Sequence, residues 1–211
     1  MKRIFQIILG VVIVALVYII YVQISTPLNF NKELAAKKAA VIERIKDIRT
    51  AQRSFKSKYL HFTSTFDSLE AFILTDTLEL ERKLVDEDDS VGMAMLKKSG
   101  KKNIEKFKIA VIDTIFSPKK LSVEQVKQLR YIPGTDDKAQ FIMEAGYTTA
   151  SNVVVPIVEC RAPYKMFLDT VAYRQEIINL IDEEENIFNR YPGVKFGSME
   201  SANNEAGNWE D

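Results

Sequence analysis

Asp86, Asp88 and Ser90 alternate along the chain as the first three oxygen ligands of a calcium loop do, and a hard divalent cation would be their natural guest. The rest of that pattern is missing. The sixth position, where glycine makes the sharp turn, is Val91, and the twelfth, where a glutamate closes the shell with both oxygens, is Lys97. Segment 86–97 therefore reads as a solvated acidic loop. Glu79 and Glu81, with the run Asp86-Glu87-Asp88-Asp89, offer paired carboxylates of the kind hydrolases use, yet nothing nearby desolvates them and a raised pKa has no visible cause. His61 is the only histidine and Cys160 the only cysteine, which leaves no material for a catalytic triad or a zinc centre. Nucleophile-elbow, phosphate-loop and dinucleotide fingerprints are missing too. The expectation is a chain that is not an enzyme, holds no cofactor or metal, and takes neither nucleic acid nor a small-molecule substrate.

His61 beside Phe62 reads as a surface or capping histidine. Cys160 near Pro156 reads as a small core hydrophobe with no partner for an internal disulfide. Trp209, the only tryptophan, carries a large apolar area that an exposed tail would leave in water. Two readings stand for it: it folds back on the domain's own core, or it anchors in a partner's pocket. The small-residue segment 198–208 puts either within reach.

These side chains are carried by 211 residues in which 29 Lys+Arg balance 29 Asp+Glu, with 46% hydrophobic and 27% charged residues. Such proportions exclude disorder over most of the chain, collagen-like repeats and disulfide scaffolds. Residues 4–22 carry no charge, and a helix of that length is about 28 Å long, close to the hydrocarbon thickness of a bilayer. Fourteen of them are Ile, Leu, Val or Phe. At roughly −0.3 to −0.6 kcal/mol each, they outweigh the cost of Gln6. Ile4, Ile8, Val12, Leu16 and Ile20 mark the membrane anchor, with Tyr18 and Tyr21 toward the headgroups. The run is longer than a signal-peptide core and no small-x-small site follows it, so an uncleaved anchor over residues 1–25 is expected. The short basic tail of Lys2 and Arg3 points to a cytoplasmic N-terminus with everything beyond 25 outside.

Pro27, Asn29 and Asn31 are expected to end the span. A stalk helix then follows over 26–60, with Leu34, Val41, Ile45, Ile48, Phe55 and Tyr59 on one amphipathic stripe. Residues 32–58 hold nine bases and three acids, a net +6 that either faces water or meets anionic lipid or an acidic partner. Beyond 61 an α+β domain is expected. Phe66 to Ile73 reads as a short helix, and residues 107–116, 129–132, 140–143 and 152–160 as strands. Residues 107–116 should be central, and Pro156 argues for an edge position. Phe167, Val171, Ile178, Ile181 and Phe188 should form one stripe of a C-terminal helix ending at Tyr191-Pro-Gly193. Residues 176–211 hold nine acids and two bases, net −7, so a basic stalk is paired with an acidic tail in one neutral chain.

A membrane helix running into an amphipathic rod with Ile48-Arg-Thr-Ala-Gln-Arg-Ser-Phe-Lys-Ser-Lys-Tyr59, then the Phe66-Asp-Ser-Leu69 helix and an antiparallel sheet, resembles type IV pilins and the pseudopilins of type II secretion. That family polymerises through its N-terminal helix. Its peptidase site needs Glu five residues after a glycine, whereas Ala15 follows Gly10 at that spacing. Ile48-Arg-Thr-Ala-Gln52, Phe66-Asp-Ser-Leu69, Arg174-Gln-Glu-Ile-Ile-Asn179, Tyr191-Pro-Gly-Val-Lys-Phe-Gly-Ser198 and Gly207-Asn-Trp-Glu210 together resemble a group of membrane-anchored Bacteroidota proteins. This resemblance implies a Gram-negative inner membrane and a periplasmic domain, and attaches no activity. The expected function is a single-pass structural or assembly protein of an envelope complex, possessing a pilin-like layout and partnered by the lipid bilayer, by copies of itself or by envelope proteins. The alternative is a membrane-tethered periplasmic module that binds a peptide, a glycan or a partner domain.

Overall fold

A computed structural model describes residues 2–86, 88–100, 102–117 and 119–210. Its dominant element is one helix, α1 (Lys2–Tyr59), of 58 residues and about 87 Å. The expected break at Pro27 does not occur: Pro27 lies inside α1. The proline removes the donor that would bond the Gln23 carbonyl, and Gln23 is exposed, so solvent can take that place. One residue earlier, the Val22 carbonyl accepts from Thr26 Oγ1 at 2.8 Å and Ser25 Oγ at 3.4 Å.

The second half of α1 is the spine of the domain's core. Val41, Ile45, Ile48 and Ala51 are completely buried, and Phe30 and Phe55 nearly so. Gln52 shares that face and is also completely buried. Its amide donates to Thr63 O at 2.7 Å and accepts from Thr63 N at 3.2 Å, which fixes the turn after the helix against the helix itself. Leu60 ends α1 in the left-handed region at φ 64°, its N–H bonded to Lys56 O. The short helix α2 (Phe66–Thr75) then folds back, burying Leu69, Phe72 and Ile73, with Phe72 edge-on to Phe55 at 5.2 Å.

Two antiparallel sheets complete an α+β fold. The first is a ribbon of β1 (Thr77–Lys83) and β2 (Ile104–Ala110), joined through α3 (Ser90–Lys98). The sequence offers Glu79 and Glu81 only as carboxylates that nothing desolvates, and no strand is expected at β1. Its strand character comes from cross-strand charge matching: Glu79 faces Lys108 and Glu81 faces Lys106 on one side, while Leu78 and Leu80 face Ile109 and Phe107 on the other. The expected central strand over 107–116 stops at Ala110 and becomes helix α4 (Val111–Ile115). Val111, Ile112, Ile115 and Phe116 share one helical face around the polar Asp113 and Thr114, and that face packs on the core. The expected 129–132 strand is a 3₁₀ turn at Leu129 and Arg130 and a single antiparallel bridge from Tyr131 to Gln140. A capping box between Ser122 and Gln125 starts α5 (Val123–Lys127), which runs into a 3₁₀ turn over Gln128–Arg130.

The second sheet has the order β3-β4-β5, from β3 (Ile142–Ala150), β4 (Val153–Pro163) and β5 (Gly193–Gly197). Ser151 and Asn152, at φ 50° and 65°, make the two-residue hairpin between β3 and β4. β4 is therefore central, contrary to the edge position inferred from Pro156. Since β5 covers only residues 159–163 of β4, Pro156 still sits in the half that is open on one side. Between β4 and β5 the expected single helix is split into α6 (Tyr164–Phe167), a turn, α7 (Arg174–Asp182) and a π turn over Glu183–Ile187. The Asp169 carboxylate accepts from Val171 N and Ala172 N at 2.9 and 3.0 Å and resets the helical phase. Phe167 and Ile177 are buried, whereas Val171 is 91% exposed and Ile178 and Phe188 about half exposed.

Ile45→Ala, at the centre of the spine, should lower stability by about 2–5 kcal/mol in denaturant unfolding, against less than about 0.5 kcal/mol for the exposed Lys46→Ala.

Candidate functional site

Two surfaces meet along α1. The first is its bare N-terminal part. Ile4, Ile8, Val12, Leu16 and Ile20 are all exposed, and the most apolar 18-residue stretch, of mean hydropathy 2.8, has none of its residues buried by the rest of the protein. By length and composition this helix can cross a membrane.

The second surface joins the basic face of α1 to the acidic tail. Arg49, Arg53 and Lys56 fall at i, i+4 and i+7 and so line one face. Arg53 Nε and Lys56 Nζ approach the two oxygens of Glu205 at 3.1 and 3.2 Å, and Glu205 is only 8% exposed. Arg49 Nη1 reaches Glu210 Oε1 at 2.6 Å, and its guanidinium lies 5.4 Å from the centre of the Trp209 ring. The tail also completes the sheet: Gly197 N donates to Ala206 O, Asn208 N to Lys195 O, and Lys195 N to Asn208 Oδ1. Trp209 therefore lies against its own core, the first of the two readings above, with the indole resting on Gly207, where a Cβ would collide with the ring. Its buried Nε1 has no hydrogen-bond partner among the described residues.

Other bases of the rod are engaged within the molecule as well. Arg44 donates to Gln128 O at 2.7 Å and to Tyr131 O at 3.2 Å, and Lys37 pairs with Glu33 at 2.8 Å. Lys58 pairs with Asp76, which also accepts from Tyr59 Oη at 2.5 Å. The Lys58 ammonium and then the Tyr59 hydroxyl hold the Asp76 carboxyl at about 2. The Gly207 N–H and then Arg49 hold Glu210 below the usual carboxylate range.

The stripe read from the sequence is internal rather than displayed. Val41, Ile45 and Ile48 are completely buried and Phe55 nearly so, Leu34 packs on the core, and Tyr59 stays partly exposed beside Asp76. Cys160 is buried in β4, where loss of water and then the neighbouring Glu159 push its thiol up. His61 is exposed, with Nδ1 2.9 Å from Tyr59 O. In the acidic segment Glu87 lies outside the described residues, and Asp89 caps α3 by accepting from Val91 N and Gly92 N. From Ser90 onward that segment is helix rather than loop. Among the described residues no three His, Cys, Asp or Glu are placed to share a metal ion. Sequence reading missed Glu205 and Gln52, the two buried polar anchors of the spine. The spacing of Arg49, Arg53 and Lys56 on one face was the available sign that a carboxylate would meet them. No protein-family profile, no curated protein and no solved structure matches this chain.

Because Trp209 is the only tryptophan, its emission reports the tail directly. Arg49→Ala should shift that emission to the red at neutral pH and lower stability by about 1–2 kcal/mol. Glu210 titrates lower in the folded protein than its ordinary 4.5, so its contribution is complete above that value and is lost as pH falls through the depressed one. Asp76 behaves alike between 3.8 and about 2. Emission should hold steady down through the ordinary carboxylate range and move to the red only on acidification below it.

Proposed function

We propose that the chain is a single-pass membrane protein that holds a rigid α+β domain at the bilayer surface, as a structural or assembly subunit of a cell-envelope complex. The observation that carries this reading is the unburied apolar stretch of α1, which continues without interruption into the spine of the domain's core. An apolar stretch of this length is costly to leave in water, and lipid or other copies of the same helix are what would cover it. In this reading Lys2 and Arg3 stay on the cytoplasmic side and the domain lies in the periplasm, at a bacterial inner membrane. The pilin-like layout is part of the proposal in one restricted sense. With the stripe over 41–55 occupied by the chain's own core, self-association would run through residues 4–28.

A second reading, a membrane-tethered binding module, is favoured by the open edge of β4 over 153–158. A cavity of about 230 Å³ lies beside it, between Lys56 on α1 and Asn203 to Glu205 on the tail. Trp209 faces inward and would not supply the anchor of such a module.

Membranes carrying the full chain should retain it through alkaline carbonate washing. Val12→Arg together with Leu16→Arg, at roughly +3 kcal/mol each, should release it. Crosslinking in mild detergent should give oligomers that the same pair of substitutions abolishes. A wild-type chain that is carbonate-soluble and strictly monomeric would end this reading.

A further inference from the structure

The turn between α6 and α7 stands out on the domain surface. Val171 is 91% exposed at its tip, the highest exposure among the protein's large apolar residues. The turn is nevertheless held firmly. Asp169 accepts the N–H groups of Val171 and Ala172, Tyr173 N donates to Asp169 O, and the Tyr173 ring packs on Phe30 of α1 at 5.5 Å.

That last contact sets the height of the turn. Phe30 is the first described residue of α1 to be buried, eight residues or about 12 Å beyond Val22, the last apolar residue before Gln23. Both flanking helices lie farther along α1. Tyr164, which opens α6, sits beneath the Lys38 ammonium, and Glu184, just past α7, reaches the Tyr164 hydroxyl at 3.5 Å. The chain thus descends α1 from the level of Lys38 to that of Phe30, turns at 169–172, and climbs back, so the turn faces the apolar stretch. A headgroup layer is about 5–8 Å deep, and a helix tilt of about 20° lowers a point 10 Å off the axis by about 3 Å. The remaining few ångströms are within reach of the Val171 side chain. Lys32, two residues past Phe30, and Arg174, next to Tyr173, stand at this level exposed and without an ion pair among the described residues. The acid of the turn, Asp169, is engaged by its two N–H donors and attracted to Lys37.

We propose that the turn over 169–172 is a second membrane contact: Val171 enters the headgroup layer of the leaflet that α1 leaves, and Lys32 and Arg174 attract anionic phospholipid. One point of attachment would let the domain swing about the anchor, whereas two would fix its tilt and azimuth. This inference rests on α1 spanning the bilayer, and the test separates the two claims.

The full chain is reconstituted into vesicles of phosphatidylcholine with and without phosphatidylglycerol, carrying a nitroxide on Val171→Cys, on Val12→Cys or on Lys46→Cys. The native Cys160 is fully buried and remains unlabelled. The Val12 label should collide with oxygen, and the Lys46 label with an aqueous nickel chelate. The Val171 label should fall between them at headgroup depth, moving toward the Val12 value when phosphatidylglycerol is added. Lys32→Gln with Arg174→Gln should weaken that lipid dependence about fivefold per cation removed. A Val171 label as wet as Lys46, with Val12 in lipid, overturns the second contact and leaves the span intact. A Val12 label in water overturns both.

Discussion

The structure depends on one helix that carries two kinds of apolar surface, one packed and one bare. Over its second half α1 supplies the buried face around which the domain closes, and over its first half it displays apolar side chains that none of the other described residues covers. Both halves belong to a single hydrogen-bonded rod, so the orientation of the exposed stretch is inherited from the packing of Val41, Ile45, Ile48 and Phe55. Helix formation is cooperative, and a core that fixes the C-terminal half removes the nucleation cost for the residues before it. Pro27 is tolerated because it falls in the short exposed stretch between the two halves, where solvent can reach the freed carbonyl of Gln23.

Charge plays the complementary part. The net charge is zero, but α1 carries eleven bases against three acids, and acids of the elements that close around it meet several of those bases. Glu205, Glu210 and Asp76 each meet a base of α1. The ion pair at Glu205 is the most shielded of these. It forms beside two consecutive residues in the left-handed region, Asn204 and Glu205, which turn the carboxylate back toward Arg53 and Lys56. The tail then adds its backbone to β5, so sheet, tail and rod are connected by hydrogen bonds as well as by packing.

Periodicity made the rod legible, since apolar residues at 41, 45, 48 and 55 can share a face only in a helix, and the α+β class followed from β-branched runs in the second half. What misled was local composition read without its partner. The charged strand β1 looks like a loop until β2 supplies Lys106 and Lys108 across from Glu81 and Glu79. Val111 to Phe116 satisfies both a strand and a helix pattern, and packing on the core selects the helix. In the candidate site the bare apolar stretch of α1 is apparent from hydropathy alone. The buried carboxylate of Glu205 is not, because it lies some 150 residues from its partners and its desolvation exists only in the fold.

The central claim is that the apolar stretch and the domain are one stiff body. Nitroxides at Val14→Cys and Lys46→Cys in nanodiscs test it most directly, by dipolar spectroscopy. A continuous helix places the two sites 32 residues apart in a single narrow distance distribution near about 48 Å. A broad distribution, or one centred well below that distance, would mean the rod bends or breaks at Pro27 and would contradict the account.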